Sequence, residues 1–226
     1  MIATAVIELG LLLYTLVRYK LTLIVRLIMA ILFFLAAFQI AEYNVCGGMG
    51  LQAQAWSRIG FMVIATLPAL GVQTILAIAK ASMVWLEVLA WAAAGYWIVL
   101  FGLSNNAFSG YKCGGNYIIF QIRNSYGLWY GIHYYFWLFV GIGLALWLAG
   151  KAHGKIKQAL NWFVIGYGVF IIPTAVVNTL NPQTTAGLPS ILCGFAVVFA
   201  VLLGVKITPL VATTKRLTNK HKRTNV

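Results

Sequence analysis

The chain has 226 residues, of which 62% are hydrophobic and only 8% charged, and its mean hydropathy is +0.90. A soluble domain carries about 25% charged residues, so a water-soluble globule is excluded: there is too little polar side chain to cover it. Sixteen Lys and Arg against three acidic residues give a formal net charge of +13, but the placement of those cations reads as membrane topology rather than as a nucleic-acid surface.

Seven apolar runs follow one another, at 2–18, 21–42, 59–80, 83–103, 131–150, 159–180 and 188–210. Each is close to the ~20 residues a helix needs to cross about 30 Å of hydrocarbon. None alternates with the period of two that barrel strands show. The first run is the shortest and places Arg18 and Lys20 where they can snorkel. No positive residue precedes it, so it reads as a helix rather than a cleaved leader.

Arg18, Lys20, Lys80, Lys151, Lys155, Lys157, Lys215, Arg216, Lys220, Lys222 and Arg223 fall on one side of these spans, with Arg26 and Lys206 close to it. Only Arg58, Lys112 and Arg123 fall on the other. The positive side is cytoplasmic. The expected fold class is therefore all-α integral membrane, with seven transmembrane helices, the N-terminus outside and the C-terminus in the cytoplasm. Residues 1–210 form the membrane domain and 211–226 a basic cytoplasmic tail, in a multi-pass protein of a prokaryotic plasma membrane. The tail cluster from Lys215 to Arg223 suits anionic lipid.

Loops on the basic side are short. The two large loops, 43–58 and 104–130, lie on the opposite side, where a third loop, 181–188, is a Pro/Gly turn. Each large loop carries a cysteine followed by paired glycines, Cys46-Gly47-Gly48 and Cys113-Gly114-Gly115. On an oxidising face these two cysteines are a candidate disulfide, against the alternative of two free thiols. Cys193, inside the last span, reads as a small core residue. Loop 104–130 and the span after it are dense in aromatics, from Tyr111 and Tyr117 through Tyr126, Trp129 and Tyr130 to Trp137. They read as an interfacial belt, or as a lid over an outward-facing pocket.

The acidic residues are Glu8, Glu42 and Glu87, and the histidines His133, His153 and His221. A Ser-His-Asp arrangement has no Asp to use, and no phosphate loop, HExxH or Cys/His cluster of metal spacing is present. No catalytic residue, metal or cofactor is expected. Ionisable groups within a bilayer cost several kcal/mol and need a reason. Glu8, Gln39 and Glu42 fall in the outer half of the first two spans. His133 and Trp137 share a face at the top of the fifth. Thr174 and Asn178, with Tyr167 and Asn181, form one stripe on the sixth. Together they are candidates for a ligand pocket, although polar stripes in membrane helices also serve as glue between helices. Arg26 and Glu87, at similar depth near the basic side, are a candidate structural ion pair. Pro68 and Pro173 are candidate hinges.

The order of these features resembles the seven-helix N-terminal sensor region of certain membrane histidine kinases. The likeness rests on Tyr14-Thr15-Leu16-Val17-Arg18-Tyr19-Lys20 at the end of the first span, the end of the second near Glu42, and Trp56-Ser57-Arg58-Ile59-Gly60-Phe61 before Pro68. It continues with Lys155-Ile156-Lys157-Gln158 before the sixth span, Pro173 within it, and Leu188-Pro189-Ser190-Ile191 opening the last. The resemblance implies sensing of a ligand or of the membrane. The chain lacks the kinase such sensors feed, which implies a separate signalling partner. The expected function is a stand-alone, receptor-like membrane protein. It would bind membrane lipids, a small-molecule ligand, and a protein partner through lateral helix faces or the basic tail. The alternative is a structural or accessory subunit of a larger membrane complex, with a transporter or channel ranked below it.

Overall fold

Apolar runs of this length satisfy their backbone only by coiling on themselves where water is absent, and the computed structural model is accordingly almost all helix. It describes residues 1–47, 50–104, 107–114, 118–180 and 187–214. The helices are α1 (Ile2–Arg18), α2 (Leu23–Gly47), α3 (Ala53–Ala79), α4 (Val84–Leu103), α5 (Asn124–Lys151), α6 (Gly154–Leu180) and α7 (Leu188–Leu202). A π-turn (Leu203–Ile207) and a short α8 (Thr208–Val211) continue α7 without a break. Among the described residues, six stretches are long and apolar enough to cross a membrane: α2, α3, α4, Tyr126–Lys151 of α5, α6, and Leu188–Val211. This is the make-up of a multi-pass membrane protein. α1, with 17 residues, is not among the six.

The helices outrun the apolar runs that announce them. α2 continues through Cys46 to Gly47 and α3 already starts at Ala53, so both ends of the large loop expected over 43–58 are helical. α5 starts at Asn124 rather than 131, and α6 at Gly154 rather than 159. The physical reason is simple: a hydropathy run marks the stretch suited to hydrocarbon, whereas the hydrogen-bond ladder continues into polar residues at either end. Loop 104–130 is also not plain loop. It holds an antiparallel hairpin, β1 (Phe108–Cys113) and β2 (Ile118–Ile122), with a register irregularity between Phe108 and Gly110. In β2, Ile118 and Phe120 are buried while the residues between and after them are not. That is the period-two burial of a half-covered strand.

α3 is the central post, packing against α2, α4, α5 and α6. Its apolar window is 78% buried, against 28% for α4 at the periphery. Small residues on and around this post admit large neighbours. A side-chain carbon at Gly71 would collide with the Tyr167 hydroxyl, and one at Gly166 with the Phe199 ring. Pro68 and Pro173 lie inside continuous helices, where each leaves the carbonyl four residues earlier without its helical N–H. α1 closes the bundle against α2 and α7. Its far end is stitched to the chain beyond α8: the Lys20 N–H donates to the Thr213 carbonyl at 2.9 Å, and Tyr19 bridges Thr214. The exterior remains apolar, with Val17, Phe33, Val99, Phe139 and Ile172 all more than half exposed. That surface suits lipid rather than water.

The opposite end of the bundle is held by aromatic packing. The Phe61 ring of α3 lies 5.2 Å from Phe101 of α4, 5.1 Å from Phe108 of β1, 5.1 Å from Phe120 of β2 and 5.5 Å from Tyr130 of α5. Beside it, Arg58 donates through Nε to the Phe101 carbonyl at 3.0 Å, and through its guanidinium to that of Gly102. Those are last-turn carbonyls of α4, left unpaired by the helix itself. The one half-buried arginine at this end thus has a structural task. The expected Arg26–Glu87 ion pair does not form. Arg26 is exposed on α2, Glu87 is half-buried on α4, and α2 packs mainly on α3 and α1 rather than on α4. Similar depth along two helices does not place them side by side.

Phe61→Ala removes ring contacts to four elements at once and should cost about 3–5 kcal/mol. Thermal unfolding in detergent should show a clearly lowered midpoint, together with faster proteolysis of the hairpin. An unchanged midpoint and cleavage pattern would show that the cluster does not hold this end together.

Candidate functional site

The hairpin is fixed from three directions. Cys113, the last residue of β1, forms a disulfide with Cys46 in the last turn of α2, with a Cα–Cα distance of 6.0 Å. The Ile118 N–H of β2 donates to Ser190 Oγ of α7 at 3.1 Å. Phe120 packs on Phe61 and on Phe38 of α2. Within the hairpin, the Ser109 hydroxyl donates to the Gln121 carbonyl at 3.0 Å, next to the register irregularity. Of the glycines that follow the two cysteines, Gly48 and Gly115 lie outside the described residues, as do Tyr117, Asn181, loop residues 181–186 and the basic tail from Lys215.

Beneath this strapped hairpin is a cavity of about 990 Å³. β2 supplies one wall through Phe120, Gln121 and Ile122. α5 supplies another through Leu128, Tyr130, Gly131, Ile132 and Tyr134, and the start of α7 a third through Leu188, Pro189, Leu192 and Cys193. Ile64 of α3 also lines it. The size and the largely apolar, aromatic lining are those of a small-molecule pocket. Leu128 and Ile132, 64% and 51% exposed, stand at its rim. Tyr130 lines it, while the Tyr130 hydroxyl is buried away from the open space and has no hydrogen-bond partner.

A second polar locus lies deeper, between α1, α2 and α7. Glu8 and Glu42 are 0% and 1% exposed, and Gln39 is 2%. Neither oxygen of either carboxylate has a hydrogen-bond partner, and neither does Gln39 Nε2. The two carboxylates are close enough to repel each other, and Cys193 lies within reach of both. Ser190 neighbours Glu42 without the geometry of a hydrogen bond.

The remaining pocket candidates go elsewhere. His133 lines a lateral groove between α4 and α5 with Tyr96, Trp97, Tyr126, Trp129 and Phe136, and its Nε2 has no partner. Trp137 is buried in α5 and lines neither space. Thr174 is buried and donates its hydroxyl to the Phe170 carbonyl at 2.6 Å, a bond within its own helix that leaves the hydroxyl hydrogen committed. Asn178 is half-buried on α6 and already engaged. The single pocket expected from sequence is therefore two loci and a groove: Glu8 and Glu42 are brought together with Gln39 on the same helix face, whereas His133 lines the groove and Thr174 bonds within its own helix.

Most of the cavity wall was not among the expected residues. Ile64, Gly131, Pro189 and Leu192 carry no chemical signal of their own. The strand character of Ile118-Ile119-Phe120-Gln121-Ile122 was the readable clue, a β-branched and aromatic run of strand length. Among the described residues, no group of three or more His, Cys, Asp or Glu side chains is placed to hold a metal ion. No protein-family model, curated protein or solved structure matches the chain.

The disulfide closes a sequence separation of 67 residues and should stabilise the strapped end by about 2–4 kcal/mol. Alkylation of the unfolded, unreduced protein followed by peptide mass analysis should find Cys46 and Cys113 on one linked species and Cys193 alone modified. Cys46→Ser should lower the unfolding midpoint by several degrees. Three alkylated thiols without reductant would contradict the bridge.

Proposed function

We propose that the chain is a receptor-like protein spanning a plasma membrane seven times, which takes an apolar small molecule beneath its disulfide-strapped hairpin. The observation that carries this reading is the cavity of about 990 Å³ roofed by a hairpin that is tied down covalently. A surface loop needs no such anchoring, but the roof of a pocket does if the pocket is to keep its shape. The lining favours a ligand that is mostly hydrocarbon or aromatic.

The membrane orientation in this proposal follows from two independent features. α1 is the seventh span: it is one residue short of the 18-residue window that the other six satisfy, and Arg18 and Lys20 extend its reach by snorkelling. The hairpin end faces outside, because disulfides persist in oxidising compartments. Lys151, which lies 3.6 Å from the centre of the Trp147 ring, and the other cations at the opposite end face the cytoplasm. The output passes to a separate partner, as the resemblance to kinase sensor regions implies. A second reading, an accessory subunit of a membrane complex, is favoured by the lateral α4–α5 groove, where exposed Tyr96 and Trp129 offer a surface to another helix.

Gly131 lines the cavity, and a side-chain carbon there would meet nothing within 4 Å. Gly131→Leu should fill the cavity without disturbing the helix. Small molecules extracted from protein purified out of native membranes should include an apolar species held by the wild type and missing from the variant. Equal recovery from both would remove the cavity as the binding site. For topology, a membrane-impermeant maleimide applied to intact cells should label Tyr111→Cys but not Lys80→Cys, in protein whose own cysteines are accounted for; the reverse pattern would invert the orientation.

A further inference from the structure

The Glu8–Gln39–Glu42 locus makes a chemical demand that the cavity does not. Two carboxylates from different helices are enclosed with four unpartnered oxygens. An isolated buried charge is costly even when only one is present, and two carboxylates side by side cannot both remain charged without a positive partner. Few groups act on them. On α1, the Met1 amine acts on both carboxylates from a distance. On α2, Gln39 adds a neutral amide, and on α7 stand Ser190 and the buried thiol of Cys193. No Lys, Arg or His side chain is among these neighbours. Even if the Met1 amine is set against one carboxylate, one negative charge is left.

The second observation is Gln39 itself. It precedes Glu42 by three residues, so both lie on one face of α2, and it is 2% exposed with its amide nitrogen unpartnered. A bare cation would satisfy the carboxylates and leave that donor unmet. A cation that brings a water molecule would satisfy both, the ion or proton meeting the carboxylate oxygens and the water oxygen accepting from Gln39 Nε2.

We infer that Glu8, Gln39 and Glu42 form an enclosed site for one small monovalent cation and a water, with either an alkali-metal ion or a proton supplying the charge. The site is independent of the ligand cavity reading, although Cys193 touches both regions and Ser190 connects the Glu42 neighbourhood to the hairpin.

The test uses the full chain in lipid nanodiscs. Thermal unfolding is followed at constant ionic strength while N-methylglucamine is exchanged for lithium, sodium or potassium, and separately while pH is lowered in N-methylglucamine alone. An alkali ion at the site should raise the midpoint saturably by about 2–8 °C, and Glu8→Gln and Glu42→Gln should each abolish that rise. A proton at the site should make alkali ions ineffective but give a stability gain at lower pH that is smaller in each variant than in the wild type. Responses to cation and pH that are the same in the wild type and both variants would overturn the proposal. Should a variant fail to fold, Glu87→Gln leaves Glu8 and Glu42 as the only side-chain carboxyl groups, because the chain has three acidic residues. Infrared difference spectra of that protein should then show a carboxyl band change on cation exchange or on acidification. No change under either condition would overturn the site on its own.

Discussion

The packing of aromatic rings around Phe61 is the interaction on which the hairpin end of the molecule depends. One side chain on the central helix meets α4, both hairpin strands and α5 at centroid separations of 5.1–5.5 Å. A two-stranded hairpin is marginal by itself. Here it gains an apolar floor from Phe61, a covalent tie from Cys46–Cys113 and a hydrogen bond from Ser190. The three restraints come from three different helices, α3, α2 and α7, and the cavity lies beneath the hairpin they hold.

The two polar regions sit in different physical regimes. The cavity is largely apolar and aromatic in its lining, so its chemistry is that of burying hydrocarbon. The Glu8–Glu42 locus is a charge problem, in which the cost of enclosure is set by the missing counter-charge. Both meet α7 at neighbouring turns, through Ser190, Leu192 and Cys193. A helix that contributes to both, and that ends in a π-turn where the Thr208 hydroxyl donates to the Leu203 carbonyl at 2.7 Å, is the element through which the two regions are physically connected.

Much of the architecture was legible in the chain itself. Long apolar runs, a scarcity of acidic residues and the bias of Lys and Arg to one side dictated a helical multi-pass design, because backbone polar groups in lipid must be satisfied within each segment. The Cys-Gly-Gly repeats marked the two cysteines that are joined. The polar residues of the first two spans marked one buried locus, because Glu8 and Glu42 are too costly in an apolar interior to be incidental.

What only the tertiary structure decided was lateral position. Depth along a helix can be counted from sequence, but rotation about its axis and its choice of neighbours cannot, since both depend on how side chains of several helices interlock. Arg26 and Glu87 share a depth and yet remain apart. His133 faces a groove rather than the carboxylates, and Thr174 bonds within its own helix. Ile64, Gly131 and Leu192 carry no chemical mark, and became a pocket wall only when α3, α5, α7 and the hairpin met. Sequence fixes what each element costs to bury; the packing of Phe61, Tyr167 and Phe199 against their neighbours fixes which elements are buried together.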